Sequence, residues 1–278
     1  MRGKRKVAII TGSIILVGLL LSLFLYFYNA QDTSQSEVGQ TSGQPAFEED
    51  QTKKTAALKQ EAEAKRALPS PSPKKNFTIV IDPGHQQLAN HDQEPLAPGS
   101  KQMKGKVSSG TRGVSTAKPE YELTLEAALI LKEYLSEHGF NVVLTRMENM
   151  VDISNKERAE IANEHQADLF IRLHADGSND SSVKGFHILT PAEGHAMHKQ
   201  SLQASKVIFS AVQRDQSIDT NGISFRSDIT GFNWSQVPTM LIEMGFMTNT
   251  EDDHNLSDPA YLRKLMTYVT EGIVAYSK

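Results

Sequence analysis

Cysteine is absent from the 278 residues. That excludes disulfides, thiolate metal sites, iron–sulfur clusters and cysteine nucleophiles, and leaves His, carboxylates, hydroxyls and Lys to carry any chemistry. A surplus of positive charge is also missing: 29 Lys and Arg stand against 33 Asp and Glu, a net of −4. No uniformly basic field is available to neutralise phosphates, so nucleic acid is an unfavoured partner. Long apolar runs are missing everywhere except in residues 7–28, VAIITGSIILVGLLLSLFLYFY, which form 22 consecutive residues without a charge.

At about 1.5 Å per helical residue such a run spans the roughly 30 Å core of a bilayer. It ends in bulky LYFY rather than in a small-x-small cleavage site, so it reads as a transmembrane anchor and not as a removable signal peptide. Arg2, Lys4, Arg5 and Lys6 precede it. Residues 1–6 are therefore expected to form a cytoplasmic basic tail, with everything after Tyr28 outside the cell membrane. Residues 29–75 hold almost no large apolar side chains and read as a disordered linker, ending in the stiff PSPSP spacer at 69–73. Its root-mean-square span is roughly 35–40 Å, so the domain is expected to work close to the membrane. Of the charged residues, 11 basic and 7 acidic fall in positions 1–75, which leaves 18 against 26, a net of −8, for residues 76–278.

From Asn76 onward strands and helices alternate. FTIVID (77–82), FNVVLTR (140–146), DLFIRLHAD (168–176), KGFHILT (184–190), a short run near 222–226 and PTMLIEMGF (238–246) read as strands. Helices are predicted over 120–140, 154–166, 197–214 and 258–277, the first carrying Leu123, Ala127, Ile130, Leu131 and Leu135 near helical spacing. The fold class that follows is α/β: a single domain, 76–278, with a mostly parallel twisted sheet flanked by helices on both faces. Residues 86–114 read as a long loop carrying Lys101, Lys104, Lys106 and Arg112.

In such sheets a site lies beyond the carboxyl ends of the strands. His85 follows the first strand, His174 closes the third, and Glu243 sits inside the apolar MLIEMGF run. A carboxylate there costs several kcal/mol or titrates high unless it has a partner. Either it pairs with a nearby Arg such as Arg226, or it is a catalytic base. Two His at strand ends invite a metal, although their spacing of 89 residues matches no local motif and each can equally be a satisfied structural histidine. Glu120 and Glu122 open the long helix, where acids also compensate the dipole.

IVIDPGH, the EYELTLEAA helix start, LFIRLHAD and VPTMLIEMGFMTN, in this order and spacing, resemble the zinc-dependent N-acetylmuramoyl-L-alanine amidases of the amidase 3 family over residues 77–276. The resemblance implies a cell-wall hydrolase that cuts the amide between N-acetylmuramic acid and L-alanine in peptidoglycan. It implies that His85, Glu120 and His174 hold one zinc ion, with Glu243 as the catalytic carboxylate accepting a proton from the attacking water. Glu120 is separated from His85 by 34 residues, farther than in many relatives, and Glu122 is its alternate. Arg172 faces the same way as His174 and either contacts an anionic substrate group or pairs with Asp82. Asn233 or Trp234, in NWSQVPT, lines the substrate groove, although a Trp there equally suits the core. The stretch after His187 leaves no room for an inserted blocking helix, and no feature indicates a protein activator. A zinc peptidase or carboxypeptidase acting within the stem peptide and an inactive wall-binding scaffold are the alternatives.

Overall fold

The computed structural model describes residues 76–278. The expected basic tail, anchor and linker lie outside the described residues, and among those described no helix is long and apolar enough to cross a membrane. The core is a six-stranded sheet built from β1 (Thr78–Pro83), β4 (Asn141–Leu144), β5 (Leu169–Asp176), β6 (Phe186–Pro191), β7 (Thr220–Arg226) and β8 (Thr239–Phe246). Its spatial order is β4-β1-β5-β8-β6-β7. Neighbours pair in parallel except β6 with β8, so β6 and β7 run against the other four.

Side-chain alternation gives the sheet two different faces. Ile79 and Ile81 of β1, Leu169, Ile171 and Leu173 of β5, and Met240 and Ile242 of β8 point into the main core. That face is covered by α1 (Glu120–Glu137), α3 (His198–Val212) and α6 (Pro259–Tyr276). Val80 and Phe170 point the other way, against Ala159 and Ala162 of α2 (Asn155–Glu164). Leu241 and Leu189 meet Phe232 of the short α4 (Thr230–Asn233) on that same side. Asp82, Arg172, His174 and Glu243 share the parity of this second face, where the covering layer is thinner.

The helices begin where their side chains satisfy orphan backbone donors. Ser154 accepts from Glu157 N at 3.2 Å while the Glu157 carboxylate accepts from Ser154 N at 2.7 Å, a reciprocal cap on α2. Helix α1 has no side-chain cap and starts directly after Pro119; it stops at Gly139, whose φ of 82° suits glycine. Helices α3 and α6 approach closely at Gly272, where an added Cβ would stand 2.6 Å from the Ile208 Cα. Gly272→Ala is therefore expected to lower stability by about 1–3 kcal/mol through overpacking, despite the better helix propensity of Ala. Thermal or denaturant melts check this, and an unchanged midpoint would refute the close packing.

Two regions differ from the sequence expectation. Residues 86–114 are not one loop, because β2 (Asn90–Pro95) and β3 (Met103–Val107) pair as an antiparallel hairpin. Most of its strand positions are exposed and polar, so it carries no apolar alternation to read. It is held from outside instead: Trp234 Nε1 donates to Pro95 O at 2.8 Å, and Asn155 Nδ2 donates to Lys106 O at 2.7 Å. The segment after β8 contains a further helix, α5 (Thr250–Ser257), capped by Asn249, whose side chain accepts from Glu251 N and Asp252 N. Its sequence TEDDHNLS shows no apolar stripe, and its buried inward positions include Asp252 and Asp253.

Candidate active site

Beneath the site lies a buried ion network. Asp82 is fully buried and accepts from Arg158 Nη1 and Arg172 Nε, each at 2.8 Å, and from Thr145 Oγ1 at 2.6 Å. Burial alone would raise its pKa, but Arg158 and Arg172 overcome that and hold the carboxyl far below the usual range. The guanidinium groups also grip the turn that follows β1. Arg158 donates to Pro83 O at 2.8 Å and His85 O at 3.0 Å, while Arg146 donates to Gly84 O at 3.0 Å. These bonds hold His85 at a φ of 62°, a left-handed conformation that non-glycine residues seldom adopt.

From that turn the His85 ring projects with its Nδ1 3.0 Å from Ser108 O, so Nδ1 carries the proton and the Nε2 lone pair is free. His85 Nε2 lies 3.0 Å from Glu120 Oε1 and 3.0 Å from His174 Nδ1. His174 Nδ1 lies 3.1 Å from the same Glu120 oxygen. Glu120 is fixed in turn by backbone donors, Ala175 N to Oε1 at 3.1 Å and Thr111 N to Oε2 at 2.9 Å. Burial would raise its pKa, yet the adjacent His174 and His85 rings outweigh this and keep it ionised. Burial pushes the His174 imidazole down to about 4, so it is neutral at physiological pH. Its other nitrogen, Nε2, is buried with no partner among the described residues.

This donor set suits a metal ion. Atoms held tetrahedrally around zinc at about 2.0–2.1 Å lie roughly 3.3 Å apart, close to the mutual spacing of these three. Two neutral imidazoles and one carboxylate are also the ligand set of open, catalytic zinc sites. Among the described residues His85, Glu120 and His174 form the one group able to hold a metal in this way. Glu122, the alternate to Glu120, is not part of it.

Glu243 stands opposite His174 in the β5–β8 register and opposite His187 in the β6–β8 register. It is buried, and its Oε2 has no hydrogen-bond partner among the described residues. Its pKa is raised well above the ordinary value by burial and by the charges of Glu120 and Asp176, which Arg172 and Arg226 only partly offset. Arg226 is not its ion-pair partner, since that guanidinium binds both oxygens of Asp228 at 2.7 and 2.8 Å. An open cavity of about 520 Å³ joins Glu243 to the three clustered residues, walled by Ser108, Gly110, Thr111 and residues 175–179.

The structure separates the remaining sequence candidates from this cavity. Arg172 is 2% exposed and takes the second of its two expected roles, pairing with Asp82 and donating to Asn155 Oδ1 at 2.7 Å; its guanidinium is too deeply engaged to meet a substrate anion. Asn233 Nδ2 donates to Ser227 O at 3.0 Å, and neither Asn233 nor Trp234 lines the cavity. Trp234 packs against the α2 side of the sheet and ties down the hairpin. The backbone donors at Thr111 and Ala175 were invisible to sequence reading because amides carry no residue signature. Gly110 was a readable signal: at a φ of 81°, a Cβ there would stand 2.6 Å from Glu120 Oε2 and 2.9 Å from the His85 ring. Gly110→Ala is expected to weaken metal binding about 10–100-fold by displacing both groups. A chelator competition checks it, and unchanged affinity would mean the wall yields freely.

The family model described as N-acetylmuramoyl-L-alanine amidase matches residues 79–275. The chain is 29% identical over 215 residues to an N-acetylmuramoyl-L-alanine amidase of Mycobacterium tuberculosis, covering 72% of this chain and 86% of that one. It is 26% identical over 240 residues to an N-acetylmuramoyl-L-alanine amidase of Escherichia coli, covering 71% and 75%. Among solved structures, that of the apo N-acetylmuramyl-L-alanine amidase of Mycobacterium abscessus is similar with a TM-score of 0.68 and 28% identity, over 74% of this chain and all of that one.

Proposed function

This chain belongs to the N-acetylmuramoyl-L-alanine amidase family, and from that premise we propose that His85, Glu120 and His174 hold one zinc ion and that Glu243 is its catalytic base. The substrate is peptidoglycan, and the bond cut joins the lactyl group of N-acetylmuramic acid to L-alanine. The observation that carries this reading is the convergence of three ligand atoms within 3.0–3.1 Å of one another, beside the buried Glu243 carboxylate, whose Oε2 has no partner among the described residues.

When bound, zinc supplies Lewis acidity, lowering the pKa of water towards about 7 and polarising the scissile carbonyl. The chain's own residues do the rest. Ser108 O fixes the His85 tautomer so that Nε2 faces the metal position. The Thr111 and Ala175 amides keep Glu120 oriented. Burial keeps His174 neutral, the form in which imidazole binds a metal. Glu243, which lines the same cavity, accepts the proton of the attacking water on its carboxylate and returns it to the departing amine of L-alanine.

The apolar run 7–28 supports a single-pass anchor that holds the catalytic domain outside the cell, with the 29–75 linker as its tether. Full-length chain extracted from membranes tests both parts. About one zinc per chain, release of intact stem peptides from peptidoglycan, and an intact mass that includes residues 1–28 are the expected results. Cuts inside the stem peptide would move the protein to the peptidase reading, and zinc-free, inert chain would favour a scaffold. A mass lacking the first residues would replace the anchor with a cleaved signal.

A further inference from the structure

Glu120 is reached by a loop, residues 111–119, that has no core burial to hold it: Val114, Ser115, Thr116 and Ala117 are all exposed. Nor is the start of α1 fixed by a side-chain cap. Yet the loop must place Glu120 to within tenths of an ångström of two His that come from the sheet. Internally it folds back on itself, with Gly113 N donating to Lys118 O at 2.9 Å and Ala117 N to Gly113 O at 3.0 Å. At its base Thr111 and Glu120 clasp each other, Thr111 N to the Glu120 carboxylate at 2.9 Å and Glu120 N to Thr111 O at 3.0 Å.

The outer end is fastened to α5 chiefly by one side chain, Asp253, with Ser257 Oγ adding a longer bond to Thr116 Oγ1 at 3.3 Å. Asp253 is wholly buried; its Oδ2 accepts from Ser115 N at 2.7 Å and Thr116 N at 2.9 Å, and its Oδ1 accepts from Thr116 Oγ1 at 2.6 Å. Beside these, Val114 N donates to Met247 O at 2.9 Å, at the end of the strand that carries Glu243. The fit leaves no room for a side chain at Gly113, where a Cβ would collide with Asp253 and Thr116. A buried carboxylate is costly unless its lone pairs are filled, and here an otherwise solvent-exposed loop fills them with charge-assisted bonds.

We propose that Asp253 is a positioning residue for the metal site: it latches the 111–119 loop to α5 so that Glu120 and the Thr111 amide are held in register with His85 and His174. The inference rests on the reading of those three residues as metal ligands. It gives a physical reason why Glu120 can serve although 34 residues separate it from His85. The latch fixes the outer end of the segment that delivers it, and the Thr111–Glu120 clasp fixes its base.

The test is zinc affinity of the full-length chain by chelator competition, at a temperature where every variant is shown to be folded. Asp253→Ala is expected to weaken zinc binding about 10–100-fold, as loss of an outer-shell support does. Asp253→Asn, which can keep an oxygen towards the Ser115 and Thr116 amides, is expected to recover most of it. Thr116→Val keeps Asp253 and its two amide bonds and removes the hydroxyl with its bonds to Asp253 Oδ1, Ser257 Oγ and Lys118 N, and a smaller loss in the same direction is expected even if Asp253→Ala fails to fold. Gly272→Ala separates support of the site from general stability: it is expected to melt earlier with zinc affinity unchanged. Wild-type affinity in both Asp253→Ala and Thr116→Val would overturn the latch alone, provided His174→Ala abolishes binding. No stoichiometric zinc in wild type would overturn the ligand reading and the latch together.

Discussion

Glu243→Gln is expected to retain about one zinc per chain while losing about 10²–10⁴-fold in the rate of peptidoglycan hydrolysis, the usual contribution of a positioned general base. The substitution keeps shape and volume on β8 and removes only the ability to take a proton. His174→Ala makes the contrast, since it deletes one of three converging ligand atoms and is expected to lose metal and activity together. A pH profile sharpens the assignment. A general base works in its ionised form, so over the pH range where zinc stays bound the wild-type rate falls as pH drops through the Glu243 pKa. The residual activity of the Gln variant is expected to lack that acid limb. Full activity in Glu243→Gln, or an unaltered limb, would remove Glu243 from the chemistry.

The second large effect concerns stability. Asp82→Ala leaves Arg158, fully buried, and Arg172, 2% exposed, without the carboxylate they share. Breaking a buried pair in this way costs about 3–5 kcal/mol, because a charge stays in the interior uncompensated. Denaturant unfolding of both chains measures it, and a difference below about 1 kcal/mol would show that water or other groups replace the carboxylate. The pH dependence has a definite sign. The folded pKa of Asp82 is depressed, because the two Arg overcome the opposing effect of burial. Its contribution is therefore complete above the unfolded carboxylate value of about 3.9 and is lost as pH falls below that towards the folded pKa. The gap between wild type and Asp82→Ala should hold constant from neutrality to about pH 5 and narrow in stronger acid.

This network also accounts for the role of Arg172. Alternation along β5 correctly put its side chain on the face of His174, but alternation reports only a face. On that face the register sets Asp82 beside Arg172. A nearby buried carboxylate is a stronger claim on a guanidinium than a substrate anion arriving from water. The same limit applies to Glu243, whose supposed neighbour Arg226 is taken by Asp228 two residues on.

Sequence alone determined the features that depend on nearest-neighbour chemistry. The apolar runs of β1, β5 and β8, the helical spacing of Leu123, Ala127, Leu131 and Leu135, and the positions of His85, His174 and Glu243 on or just beyond strands all follow from periods of two and 3.6 residues. Four short segments in order were enough to indicate the family. Tertiary structure decided what those periods do not encode: the reversed direction of β6 and β7, the polar β2–β3 hairpin, and helix α5 with its inward carboxylates. It alone decided the distances among His85, Glu120 and His174, because these come from strand register, from backbone amides and from a loop latched by Asp253. The physical reason is that hydrophobic burial leaves a repeating mark along the chain. A hydrogen bond between residues over a hundred positions apart leaves none.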